Sequence, residues 1–220
     1  MPRVPVIALD GPSGVGKSTT ARAVAQVLGW QYLDTGAMYR AAALALQREA
    51  GALEDPVIRG ALLARLVVDQ QGSRTFLGHE DVSEAIRTPE LSRLASVVSA
   101  FPEVREVLVA QQRRIGRAGR GCVVDGRDIG TVVFPDDCCN FYLTATVEER
   151  ARRRFLELQG QGAGQSLGEV AEDIRRRDHA DMNRAVAPLR RAEDALELDS
   201  SGLSLDQVVA EIVARHHRHG

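Results

Sequence analysis

The stretch VPVIALDGPSGVGKSTTARAVAQVLG, residues 4–29, reads as a strand, a glycine loop and a helix in that order. Residues 4–9 are a short apolar run of the kind that fills a strand buried on both faces of a parallel sheet. Gly11, Pro12, Ser13, Gly14, Val15, Gly16, Lys17 and Ser18 then satisfy Gly-x-x-x-x-Gly-Lys-Ser/Thr. Ala21, Val24, Ala25 and Leu28 follow at helical spacing, and Gly29 suits the stop. The spacing has a chemical reason. Successive backbone N–H groups in such a loop form a concave cradle for polyphosphate, and the helix that starts there adds its positive dipole end. Glycine is needed because some of the φ values are forbidden to a residue with a Cβ. Lys17 then reaches the β- and γ-phosphates, and the Ser18 hydroxyl is placed for Mg²⁺.

The rest of the chain alternates strands and helices. An apolar strand at 30–33 and the turn Asp34-Thr35-Gly36 lead into an Ala- and Leu-rich helix at 37–49, with a second helix at 57–66. Residues 67–86 change character: short β-prone runs between Gln71-Gly72-Ser73, Gly78 and Asp81-Val82-Ser83 predict two or three short strands, an inserted subdomain. Thr88-Pro89-Glu90 opens a helix with proline at its first position, and 104–115 is another. A buried strand at 121–124 ends in Asp125, before the loop Gly126-Arg127-Asp128-Ile129-Gly130. Beyond a strand at 140–143 come an arginine-rich helix at 147–158, a glycine loop at Gly160, Gly162 and Gly164, and a polar helix at 166–184. A strand at 195–198 and a helix at 203–216 close the chain. The alternation predicts a parallel sheet covered on both faces.

A chain of 220 residues with 44% hydrophobic residues buries a core without disulfides or metal. Its net charge of −2 argues against general affinity for nucleic acid, and no apolar run approaches the ~20 residues that span a bilayer. Cys122, Cys138 and Cys139 make a poor disulfide framework and read as buried residues of a reducing cytosol. His216, His217 and His219 read as a solvated, frayed end.

The arginines narrow the chemistry. Phosphoryl transfer spreads charge over equatorial oxygens, so fixed guanidinium groups and Mg²⁺ supply most of the catalysis. Arg40, Arg127, Arg177 and Arg184 stand beside small or acidic turn residues and read as ligand contacts, whereas Arg152 and Arg176 read as solvated helix faces. The glycine loop between the two arginine-rich helices looks like a hinged lid. Asp125 either reaches the Mg²⁺ shell or caps its loop.

Taken together, DGPSGVGKS (10–18), LDTGAMYR (33–40), EDVSEAIRT (80–88), AFPEVRE (100–106), VVDGRDIGTVVFPD (123–136) and RDHADMNRAVAPL (177–189) resemble the motifs of bacterial cytidylate kinases, in the nucleoside-monophosphate kinase group. The resemblance implies a three-layer α/β P-loop fold: a parallel five-stranded sheet flanked by helices, a small antiparallel β insertion in the acceptor-binding region and a helical lid. It implies a core at 1–34, 119–150 and 186–220, an acceptor region at 35–118 and a lid at 151–185. The implied reaction is phosphoryl transfer from ATP to CMP or dCMP, with Mg²⁺, by a cytoplasmic monomer that binds neither nucleic acid nor membrane. ATP would lie on Gly11, Pro12, Ser13, Gly14, Val15, Gly16, Lys17, Ser18 and Thr19, with Ser18 on the metal. Arg40, Arg127 and Arg184 would hold the acceptor phosphate, and Thr35, Gly36 and Tyr39 would line its site. Ser96, Arg105 and Asp128 match positions that read cytosine; Arg177 and Asp181 match positions near the pentose. Arg150 and Arg154 would close on the transferring phosphoryl group beside Lys17, Arg127 and Arg184. Thr35 stands where many relatives have serine, and Ser18 where some have glycine or threonine; both keep a hydroxyl. Ser96, on a helix, has packing as its alternative role, and Arg105 has Glu103 and Glu106 nearby. A kinase for a small sugar or shikimate-type acceptor, or a nucleotide switch without turnover, would share the loop but not the second set of residues.

Overall fold

The computed structural model describes residues 4–136, 138–160 and 164–219; the side chains of Cys138 and His219, and Gly162 of the expected glycine loop, lie outside that description. Strand β1 (Val6–Asp10) is the middle of a five-stranded parallel sheet. Its neighbours are β6 (Cys122–Asp125) on one side and β7 (Cys138–Thr144) on the other, with β2 (Gln31–Asp34) and β8 (Leu196–Asp199) at the edges. Alternation along β1 builds three layers. Val6 and Ala8 face a core shared with helices α2 (Thr35–Arg48) and α5 (Pro102–Gly116), while Ile7 and Leu9 face one shared with α1 (Lys17–Leu28) and α8 (Leu205–His219). All five strands run the same way, so Asp10, Asp34 and Asp125 end up together at one edge of the sheet. Register pairs Leu9 and Asp34 each with Asp125. That is the edge at which open α/β sheets bind ligands, and β1 lies where the strand order reverses.

The insertion forms as three antiparallel strands, β3 (Val68–Gln71), β4 (Arg74–Leu77) and β5 (Glu80–Asp81), between α3 (Pro56–Leu63) and α4 (Pro89–Val98). The segment after Asp128 is a turn of π-helix, Ile129–Val133. Helices α6 (Val147–Gly160) and α7 (Leu167–Asn183) pack through Ala151, Leu158, Val170 and Ile174, and Ser166 with Glu169 forms a capping box on α7. No described helix is long and apolar enough to cross a membrane.

Two readings of the sequence change. His216 is not part of a solvated end: α8 continues to His219, and the His216 ring packs edge-on against Trp30 with centroids 5.2 Å apart, while His217 is exposed. Trp30 itself precedes β2 instead of opening it, its ring lying over Gly121, where a Cβ would come within 2.3 Å of it. Cys122 is buried, as its apolar setting suggested, and Cys139 is half-buried.

Candidate active site

The glycine loop joins β1 to α1 with the geometry its composition calls for. Gly16 sits at φ +94° as the residue before α1, and at Gly11, φ +148°, an added Cβ would lie 2.2 Å from the Leu143 carbonyl oxygen. Lys17 is 6% exposed and donates to the Pro12 carbonyl at 2.7 Å. Burial, then the nearby Arg127 charge, hold its pKa well below the usual lysine range, against the pull of Asp125, Asp10 and Asp181.

Below Lys17, the Ser18 hydroxyl donates to Asp125 at 2.7 Å, and the Tyr32 hydroxyl donates to the other carboxylate oxygen at 2.9 Å. The Thr35 hydroxyl donates to the Asp125 carbonyl at 2.6 Å. Burial, then Asp34, push the Asp125 carboxyl up to about 6. Ser18 and Asp125 are hard oxygen donors with the character Mg²⁺ prefers. That ion takes one or two protein oxygens and completes its shell with water and phosphate, so it needs no dedicated cage. No cluster of three or more His, Cys, Asp or Glu that could hold a metal is found among the described residues.

The arginines divide into three groups. Arg127 pairs with Asp181 at 2.7 Å, and Arg40 with Asp34 at 3.4 Å. Arg177 forms no hydrogen bond or ion pair among the described residues. Its pKa is lowered by desolvation and then by Arg127, Arg154 and Arg40, with Asp181 opposing. Arg127, Arg154 and Arg40 thus all bear on Arg177, which is exposed, while Arg127 and Arg40 carry their own carboxylate partners. Gly36 lies against the Arg40 guanidinium, leaving an added Cβ only 3.3 Å from it. The second group centres on Asp128, which is 5% exposed and accepts from both Arg105 and Arg184, the latter at 3.2 Å. Arg184 also donates to the Ala187 carbonyl at 2.5 Å and to Ser99 Oγ at 3.3 Å. Ala187 has φ +48°, so a non-glycine residue is held left-handed beside this cluster. Arg105 lies over the Tyr39 ring at 5.7 Å. Ser96 is half-buried on α4 and enters through its carbonyl, which accepts from Ser99 Oγ at 2.8 Å.

The third group lies on α6 and α7. Arg150 is 5% exposed and donates to Asp178 at 2.5 Å, to the Ser13 carbonyl at 2.8 Å and to the Ala145 carbonyl at 3.0 Å, while the Ser13 N–H donates to Asp178 at 2.8 Å. Arg150 and Asp178 thus tie α6 and α7 to the glycine loop. Arg154 is half-exposed, pairs with Glu157 at 2.9 Å, and bears on Arg177. Arg152 and Arg176 are solvated, paired with Glu149 and Asp173 on their own helices. Replacing Arg150 by methionine is expected to destabilise the nucleotide-free protein by about 3–5 kcal/mol, the cost of stranding a buried carboxylate. Thermal unfolding measures it; an unchanged midpoint with lost turnover would leave Arg150 with the phosphate alone.

Sequence reasoning missed Ser99, Asp10, Tyr32 and Asp178. Only Asp10 and Asp178 carried a local signal, each being an acid directly beside a residue already singled out.

Residues 7–218 match the family model described as Cytidylate kinase. The chain belongs to the cytidylate kinase family. A cytidylate kinase of Caldanaerobacter subterraneus subsp. tengcongensis is 48% identical over 206 residues, covering 94% of this chain and 92% of that one. A cytidylate kinase of Desulfitobacterium hafniense is 49% identical over 211 residues, covering 94% and 90%. Among solved structures, an uncharacterized protein from Eubacterium ventriosum aligns with TM-score 0.54 at 10% identity, covering 99% of this chain and all of that one, a likeness of fold alone. The cytidylate kinase match spans both the glycine loop and the Asp128 cluster, so the family relation covers the whole site.

Proposed function

We propose that the chain transfers the terminal phosphoryl group of ATP to CMP or dCMP, with Mg²⁺ held through Ser18 and Asp125. The observation that carries this is the adjacency of two differently built pockets. One is the group of guanidiniums at Arg40, Arg127, Arg154 and Arg177, with Arg127 also bearing on Lys17; the other is the buried Asp128 cluster with Arg105 and Arg184. The first suits phosphate oxygens. Residues 11–19 cradle the donor, Lys17 bridges its outer phosphates, and the arginines take the charge that spreads over the transferring group. Bound Mg²⁺ would neutralise phosphate charge and orient the oxygens. The second pocket suits a pyrimidine with an amino group. A carboxylate accepts from that amine, guanidinium N–H groups donate to ring N3 or O2, and a base lacking these partners leaves buried polar groups unsatisfied, a penalty of up to roughly 10⁴-fold. Asp181, which pairs with Arg127 and bears on Arg177, would meet the pentose together with Arg177.

The test is an acceptor panel with ATP and Mg²⁺, read by coupled ADP release. CMP and dCMP are expected to exceed UMP, AMP and GMP in kcat/KM by about 10²-fold or more. Comparable turnover of AMP would overturn the base assignment, and ATP binding without any labelled CDP would reduce the chain to a binding module.

A further inference from the structure

Asp10 is the last residue of β1 and immediately precedes the glycine loop. It is 5% exposed, and its two carboxylate oxygens accept from Ile129 N–H and Gly130 N–H, each at 2.9 Å. Those are the first amides of the π-helical turn, which have no acceptor within the turn. Asp10 therefore acts as their cap from 119 and 120 residues away in sequence. The same loop is fixed at two more points. Gly126 N–H donates to the Leu9 carbonyl at 3.1 Å, and Gly130 lies so close to Asn140 that an added Cβ would be 2.1 Å from its Oδ1. Between these points stand Arg127, paired with Asp181, and Asp128, in the pyrimidine cluster.

We propose that Asp10 is a positioning residue for the acceptor: by holding the Ile129 and Gly130 amides, it fixes the loop that aims Arg127 and Asp128, and joins that loop to the root of the donor's phosphate cradle. This rests on the proposed reading of Arg127 and Asp128 as acceptor contacts. The alternative role, core stability alone, has a different signature. Burial pushes the Asp10 carboxyl up to about 7, against the two amide bonds. A purely structural cap would leave the CMP-over-UMP preference unchanged, because it would act on the turn's stability and not on where Arg127 and Asp128 point.

The experiment compares the wild type, Asp10→Asn and Gly130→Ala with CMP, UMP and ATP. Asparagine keeps the shape but turns an N–H donor toward one of the two amides. Alanine at 130 shifts the same turn from its opposite side and leaves Asp10 intact. Both variants are expected to raise the KM for CMP and to lower the CMP-over-UMP preference by about tenfold or more, the worth of one bond to a charged group. The Kd for ATP, measured by calorimetry, should stay within about twofold in Gly130→Ala, which leaves the Asp10 charge that acts on Lys17 in place. The inference is overturned if both variants keep the wild-type preference, or if ATP affinity falls as far as CMP affinity does in Gly130→Ala. Should Asp10→Asn fail to fold, Gly130→Ala carries the comparison alone with the same outcomes. A wild type that shows no preference for CMP would instead remove the reading beneath it, a result the acceptor panel gives before either variant is made.

Discussion

Replacing Lys17 with alanine is expected to lower kcat for phosphorylation of CMP by about 10³-fold or more while leaving the nucleotide-free fold intact; losing one preorganised donor at a reacting centre costs on this scale. Lys17 sits at the first position of α1 with 6% of its surface exposed. Its ammonium donates to the Pro12 carbonyl of its own loop. Burial and the Arg127 charge depress its pKa, which means that the empty protein holds this charge at a cost. Alanine removes that cost together with the attraction to Asp125, Asp10 and Asp181, so the unfolding midpoint should change little. With ATP present the two proteins should diverge, because the triphosphate supplies the missing negative charge only where a lysine can meet it. Thermal melts with and without ATP, alongside single-turnover transfer, separate these effects. A variant without a cooperative melt in the absence of ATP would show that the lysine carries the fold.

The ease with which the site could be read tracks how local its physics is. The glycine loop was legible because strand, backbone cradle and helix are contiguous, and because the positive φ at Gly16 and the close approach at Gly11 leave no other residue suitable. The insertion was legible for the same reason, its turns falling at Gly72 and Gly78, at φ +60° and +59°. Asp128 and Arg105 were assigned to base reading only through the resemblance, and Arg184 was read as a ligand contact without its partner, since the contacts among them span 23 and 56 residues and no periodicity marks them. Ser99, which joins Arg184 to α4, was passed over for Ser96 in the same helical stretch, as hydroxyls one turn apart look alike until the chain is folded. Arg150 shows the converse. An arginine-rich helix beside a lid invites a phosphate role; that Arg150 also meets the Asp178 carboxylate on α7 and the Ser13 carbonyl has no mark in the sequence. A sequence shows that a charge exists; which neighbour neutralises it is settled by tertiary packing.

The charge at Asp128 permits the sharpest test of base reading, and Asp128→Asn is expected to reverse part of the preference instead of merely weakening it. In the present arrangement the carboxylate is shared by Arg105 and Arg184, with all three side chains at least nine-tenths buried. Asparagine fills the same space but presents one acceptor and one donor, and leaves the two guanidinium groups without a counter-charge. That should destabilise the protein by up to about 3–5 kcal/mol, the range for a buried pair deprived of one partner. The catalytic consequence differs by substrate. Cytosine offers an amino donor to this position, so the new amide N–H faces another donor and kcat/KM for CMP should fall by about 10²-fold or more. Uracil offers a carbonyl there, which the amide N–H can satisfy, so kcat/KM for UMP should rise. The Kd for ATP should stay within a fewfold, because Asp128 touches no residue of the glycine loop in the bonds described above. The two acceptors, assayed at a temperature where the variant is folded, separate specificity from stability. A structural role alone lowers both rates by the same factor, whereas opposite movements require that residue 128 meets the base.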